Sequence, residues 1–276
     1  MKQYARPIVA VIVSALVASC GQAPTPTPGA SAAPASPSAS AAASTTPTGT
    51  PTASPSPSPI ALPQGSEPVT LDPAQFAGVA IDNPFWPMAK GSIWIYRETD
   101  ADGTELRVEV TVTNETKEIL GITATVVHDV LTEGGEVVED TFDWYAQDAT
   151  GNLWYLGEDT KEFEAGKVVS TEGSWEAGVD GAQPGILLPA APEVGMAYRQ
   201  EFYAGHAEDS AEILSLNEHA DVAAGSYDGL LQTKEVTALE PDVVEQKFYA
   251  RGVGEVQAVQ VSGGTSREEL ISFTPG

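Results

Sequence analysis

The chain has 276 residues, 39 of them acidic and 13 basic, for a formal net charge of −26. Such a surface repels nucleic acid and anionic lipid headgroups and attracts cations or basic partners. A single cysteine excludes an intramolecular disulfide and any cysteine metal cluster.

The first 19 residues read as a targeting segment. Lys2 and Arg6 supply its positive start. The apolar stretch from Pro7 to Val17 is too short to span a bilayer as a mature helix. It ends in Val17-Ala18-Ser19-Cys20, which resembles the bacterial lipobox. That resemblance implies a lipoprotein signal peptide over 1–19 and a palmitate-type acyl anchor on Cys20. It also implies a location at the cell membrane on its extracytoplasmic face, with the membrane as first partner. Loss of Lys2 and Arg6 leaves 11 basic residues against 39 acidic, a mature charge of about −28.

Residues 23–59 are all Pro, Ala, Ser, Thr or Gly, and no charge occurs between Arg6 and Glu67. This composition buries no core and favours extended polyproline conformations. Residues 20–66 therefore read as a lipidated cysteine with a disordered tether, and 67–276 as one folded domain.

Within that domain, Asp72-Pro73 is a start signal for a short helix. From Ser92 onward the pattern is β. Leu106, Val108, Val110 and Val112 alternate with polar residues, as in a half-buried strand. Asp102-Gly103, Gly134-Gly135, Asp148 to Gly151 and Ser262-Gly263-Gly264 mark hairpin turns. No long helical period intervenes, so an antiparallel meander is expected.

The pattern repeats with an offset of 104 residues. Gly91 matches Gly195, Trp94 matches Tyr198, Val126-Val127 match Leu230-Leu231, and Trp144-Tyr145-Ala146 match Phe248-Tyr249-Ala250. The expected fold is mainly β and internally duplicated, with halves at about 91–160 and 195–273. They would form a curved sheet or open barrel, or alternatively a two-layer sandwich. Trp144 and Phe248 would then hold matching core positions.

Between the halves, Glu164 to Val194 has little strand periodicity, and long irregular segments are often functional. Trp175 is expected to point inward there, with Glu176 and Asp180 at a rim where a ligand would meet them. The run Gly91 to Tyr96, then Asp143 to Asp148, Gly151 to Thr160 and Gly173 to Gly185 together resemble a family of uncharacterised bacterial exported proteins. The resemblance implies a place and an architecture but no activity. A looser architectural likeness is to lipoprotein carriers of the LolA kind, which curve a sheet around an apolar cavity.

No nucleophile elbow, phosphate loop or dinucleotide fingerprint is present. His128, His206 and His219 form no His-x-x-x-His pair, and no metal or cofactor is expected. Asp100 to Glu105 and Asp148 to Asn152 read better as turns than as calcium loops. The leading expectation is a non-enzymatic envelope lipoprotein, its domain binding an apolar or amphipathic ligand or a cell-wall component. One alternative is a carbohydrate-active hydrolase using paired carboxylates such as Glu139-Asp140 and Glu158-Asp159, with Trp144, Trp154 and Trp175 as platforms. Another is an interaction module without a small ligand.

Overall fold

A computed structural model describes residues 61–276. Cys20, the signal segment and most of the tether lie outside the described residues.

The predicted helix near Asp72 is a single 3-10 turn, Pro73–Gln75, where the Asp72 side chain accepts a hydrogen bond from the Ala74 amide at 3.0 Å. All other regular structure is β. The strands are β1 (Ile93–Thr99), β2 (Glu105–Ile119), β3 (Ile122–Glu133), β4 (Glu136–Gln147), β5 (Leu153–Glu164), β6 (Lys167–Ser170), β7 (Trp175–Glu176) and β8 (Gln183–Leu188). They continue with β9 (Ala197–Arg199), β10 (Glu201–Phe202), β11 (Asp209–Val222), β12 (Gly225–Thr237), β13 (Val244–Ala250), β14 (Gly254–Ser262) and β15 (Arg267–Thr274).

The turns fall where the sequence places them. Asp100 turns the chain between β1 and β2, its carboxylate accepting from the amides of Asp102 and Thr104. Gly134-Gly135 joins β3 to β4, both glycines at positive φ. Between β4 and β5, Asp148 accepts bonds from Thr150, Asn152 and the Trp154 indole. Burial opposes the Asp148 charge, but these donors outweigh it and hold the pKa below the ordinary carboxylate range.

Thirteen strands form one antiparallel path, β10-β8-β5-β4-β3-β2-β1-β15-β14-β13-β12-β11-β9, with β6 and β7 added on the edge of β5. This is a nearly closed barrel rather than a sandwich. Strand positions recur at the expected spacing. Adding 104 to the bounds of β2 gives 209–223, where β11 runs 209–222; for β3 it gives 226–237, where β12 runs 225–237. β1 falls on β9 and β10 together, and β4 on β13. β8 follows the first meander and pairs with β10, while β15 follows the second and pairs with β1. The last strand of each meander thus meets the first strand of the other.

The ring has one unsealed seam. Ala197–Arg199 pair with β11, whereas Glu201 and Phe202 pair with β8. The chain changes partner at Gln200, whose amide donates to the Asp209 carbonyl at 2.8 Å. Gly185 on β8 presses on this switch: a Cβ there would sit 2.1 Å from the Gln200 carbonyl oxygen. Arg199, 2% exposed, clamps the seam from inside the fold. Its guanidinium donates to the carbonyls of Gly65, Glu67 and Pro184 at 2.7 to 2.8 Å. Just before Glu67, Pro63 and Gly65 already accept hydrogen bonds from Arg199.

Glu164 to Val194 is more regular than its sequence suggests, since β6, β7 and β8 lie in it. From Pro184 to Leu188 every residue of β8 is buried, so the strand carries no alternation to read.

Candidate functional site

Alternation puts successive strand residues on opposite faces, and here the inward face is acidic. On β4, Glu139, Thr141, Asp143 and Tyr145 point one way, while Asp140, Phe142 and Trp144 point the other. On β13, Glu245, Lys247 and Tyr249 point in, with Gln246 and Phe248 out. Trp144 and Phe248 thus share an orientation, as the repeat requires, on the outer face of the sheet; Trp144 is buried with the core residues, and Phe248 is partly buried and packs against them. Glu98, Glu158, Glu201, Asp209, Glu235, Glu255 and Glu268 are also buried. Lys247 lies among them, 3.3 Å from Glu235 and 3.6 Å from Glu245. Tyr155 donates to Asp143 at 2.7 Å, Thr160 to Glu158 at 2.9 Å and Thr233 to Glu235 at 2.9 Å.

Burial disfavours these charges, and neighbouring carboxylates disfavour them further. Burial, then Glu245, pushes Glu98 up to about 8. Burial likewise lifts Glu139 to about 7, although Thr141 works against it. Asp143 rises to about 6, restrained by the hydroxyls of Tyr155 and Tyr145. Burial raises Asp209 to about 7 and Glu255 to about 8, and carries Glu158, Glu201 and Glu268 well above the carboxylate range. For Lys247, burial opposes the charge, but Glu235, Glu255 and Glu245 outweigh it and hold the ammonium protonated.

The interior leaves little room. A cavity of about 40 Å³ remains between Trp86, Tyr96, Asp129, Glu139, Lys247, Glu255 and Glu268. That volume suits two or three waters, not an apolar or amphipathic ligand. Among the described residues no three His, Cys, Asp or Glu side chains converge as metal ligands.

A larger space lies outside, an open groove of about 310 Å³ where β7 joins the edge of β5. Lys117, Trp144, Glu158, Asp159, Ser174, Trp175 and Glu176 line it. β7 sets two of them, pairing Trp175 with Glu158 and Glu176 with Gly157. Gly157, at φ +134°, is required there: a Cβ would sit 2.3 Å from the Trp175 carbonyl oxygen. Trp175 is buried, edge-on to Tyr155 at 5.3 Å. Glu176 is half-buried and takes Lys117 at 2.8 Å, and the Lys117 ammonium stands 3.2 Å from the centre of the Trp144 ring. Asp180 is exposed in the turn after β7, at φ +49°, and does not line the groove.

Other sequence candidates fall apart in space. Glu139 faces in, whereas Asp140 faces out and pairs with His128 at 2.7 Å. Glu158 is inward and Asp159 outward, bound to Lys161. Neighbours along a strand cannot face one another across a substrate. Trp154 is fully buried against Phe76. His206 stacks on Tyr203 in a loop, and His219 on β11 pairs with Asp221 and Asp228. The pair that sequence adjacency missed is Asp143 and Glu158, directly opposite across β4 and β5.

No known family model and no curated protein matches the chain. Two solved structures show a distant likeness. One, from Bacteroides fragilis, is provisionally described as an exported protein with a YmcC-like fold; it has 14% identity and a TM-score of 0.42. The other, from Parabacteroides distasonis and provisionally described as a lipoprotein, has 12% identity and a TM-score of 0.38. Each alignment covers 69% of this chain and 98% of the other. Among the described residues no helix is long and apolar enough to cross a membrane.

Proposed function

We propose that this chain is a non-enzymatic lipoprotein, held at the outer face of the cell membrane through Cys20, that binds a polar cell-wall component in the groove beside β7. The groove carries the reading. It is open, roomier than the interior cavity, and mixes indole surface with Lys117, Ser174, Glu176 and Asp159. Such a lining suits a ligand with polar groups and short apolar faces better than a lipid tail. The Pro-rich segment supplies reach from the membrane, about 3.1 Å per residue where extended.

Cosedimentation of the mature chain with insoluble cell-wall material tests the reading. The chain is expected to pellet with the wall, and a Glu176→Gln/Asp159→Asn variant to pellet several-fold less. A chain that stays in the supernatant, or a double variant retained as well as the parent, would overturn it. The hydrolase alternative now rests on Asp143 and Glu158, which face each other, though of the two only Glu158 lines the groove.

A further inference from the structure

The seam holds a buried pair of acids. Tyr203 and Ala207 form an antiparallel bridge, and stepping back from it along both segments places Glu201 on β10 opposite Asp209 on β11. Gln200, next to Glu201, is where the chain leaves β11 for β8. Both acids are buried, Glu201 at 1% exposed and Asp209 at 8%. Neither carboxylate oxygen of Glu201 meets a donor. Two charged carboxylates are acceptors only, so this pair bonds only by holding a proton between its members. Fully charged, it would set two like charges side by side away from water, which is costly.

The strands around the pair are weakly joined. β10 meets β8 only through Glu201 with Pro184 and Phe202 with Gln183, and Pro184 has no amide to donate. β9 meets β11 only over Ala197–Arg199. β2 and β3, by contrast, pair along most of their length. Arg199, two residues before Glu201, gives its terminal guanidinium nitrogens to the carbonyls of Gly65, Glu67 and Pro184.

We propose that Glu201 and Asp209 are a proton-operated latch on the seam: sharing a proton they hold β10 against β11, and when the proton leaves, β10 parts from β8 and the seam opens. The inference does not depend on the groove. Its direction follows from the groups facing the pair. For Glu201, burial disfavours the charge, and Asp209 on β11 and Glu158 on β5 disfavour it further, against a pull from the Trp175 indole on β7. Tyr145 on β4 and Tyr155 on β5 also lie in its field. For Asp209, burial again leads; Thr237 on β12 and Lys247 on β13 favour the charge, and Glu235 on β12 opposes it. The closed seam therefore binds more protons than the open one, where both carboxyls meet water. Opening is least at the acid end and grows as pH rises from the ordinary carboxylate range toward the closed-state values.

Hydrogen exchange of the mature chain at pH 5.5, 6.5 and 7.5 tests this, each rate divided by the intrinsic amide rate at that pH. One proton lost on opening multiplies the open population about tenfold per pH unit. Protection at Gln200 to Phe202 and along β8 is expected to fall by about that factor per unit, more steeply than at β2 and β3, which report the whole barrel. Glu201→Gln puts a neutral donor opposite Asp209. It should raise seam protection at pH 7.5 and reduce the pH dependence there to that of β2 and β3. Asp209→Asn should do the same from the other side. Seam protection that follows β2 and β3 at every pH in the wild type would overturn the proposal, and this comparison decides by itself should either variant misfold. A steep seam dependence that survives both substitutions would overturn it too. So would variants that lose protection equally at all three pH values, the mark of a packing role alone.

Discussion

Asp143 on β4 and Lys247 on β13 stand 104 positions apart, and both side chains enter the barrel interior, one acid and one base. Lys247 also favours the charged form of Asp143. The repeated strands thus place opposite charges at matching positions, and Lys247 becomes the counter-ion for a surplus of buried acids.

Lys247→Met should therefore be severe and pH-dependent. It strands Glu235 and Glu245, which lie 3.3 and 3.6 Å from the ammonium. Removing one partner of a buried ion pair costs about 3–5 kcal/mol. Urea denaturation at pH 8 should show a loss of that order, shrinking at pH 5.5, where Glu255, another neighbour of the ammonium raised to about 8, is neutral. An equal loss at both pH values would show that the ammonium acts by packing alone.

Wild-type stability should fall as pH rises. Glu98 and Glu255 are raised to about 8, and Glu139 and Asp209 to about 7. The native state therefore binds more protons than the unfolded chain between the ordinary carboxylate range and pH 8. Stability from these groups is fully present at the acid end of that window and is lost progressively across it, until the folded-state pKa of each group is passed. Melting temperature is expected to be higher at pH 5.5 than at pH 8.5; the reverse order would contradict the burial of these acids.

At the seam, Arg199→Met should free the strap at residues 63–67. Three carbonyls lose a donor, those of Gly65, Glu67 and Pro184. Amide exchange should quicken at β9 and β10 before it does at β3 or β4. Gly185→Ala should weaken the same place by roughly 1–3 kcal/mol, since its Cβ has no room beside Gln200. Uniform exchange across the barrel in both variants would mean that the seam is no weaker than the rest.

Cys20→Ser should release the chain from membranes, because the thiol is the acyl acceptor of a lipobox-type anchor. Fractionation with fatty-acid labelling checks it; a membrane-bound, labelled variant would refute the anchor.

Much of the architecture was legible in sequence. Asp102-Gly103 and Gly134-Gly135 mark real turns, and the 104-residue spacing marks real strand positions. What misled was the rule that the polar face of a strand meets water. On β4 the aromatic side, Phe142 and Trp144, faces out, where His128 stacks on the one and Lys117 covers the other. The acidic side faces a closed interior in which Tyr and Thr hydroxyls and Lys247 supply partners. The groove was half legible. Trp175 and Glu176 line it, but Lys117, Trp144, Ser174, Glu158 and Asp159 arrive there through β2, the β4–β5 pairing and the turn before β7, contacts that no single stretch of sequence displays.

Ligand binding in the groove rather than in the interior can be read from the five tryptophans, which report on both places. Trp144 and Trp175 line the groove, Trp86 borders the interior cavity and packs on Trp94, and Trp154 is buried against Phe76. Solubilised cell-wall fragments added to ¹⁵N-labelled protein should shift the indole N–H signal of Trp144 and leave those of Trp86, Trp94 and Trp154 in place. Shifts confined to Trp86 and Trp94, with Trp144 unmoved, would contradict groove binding.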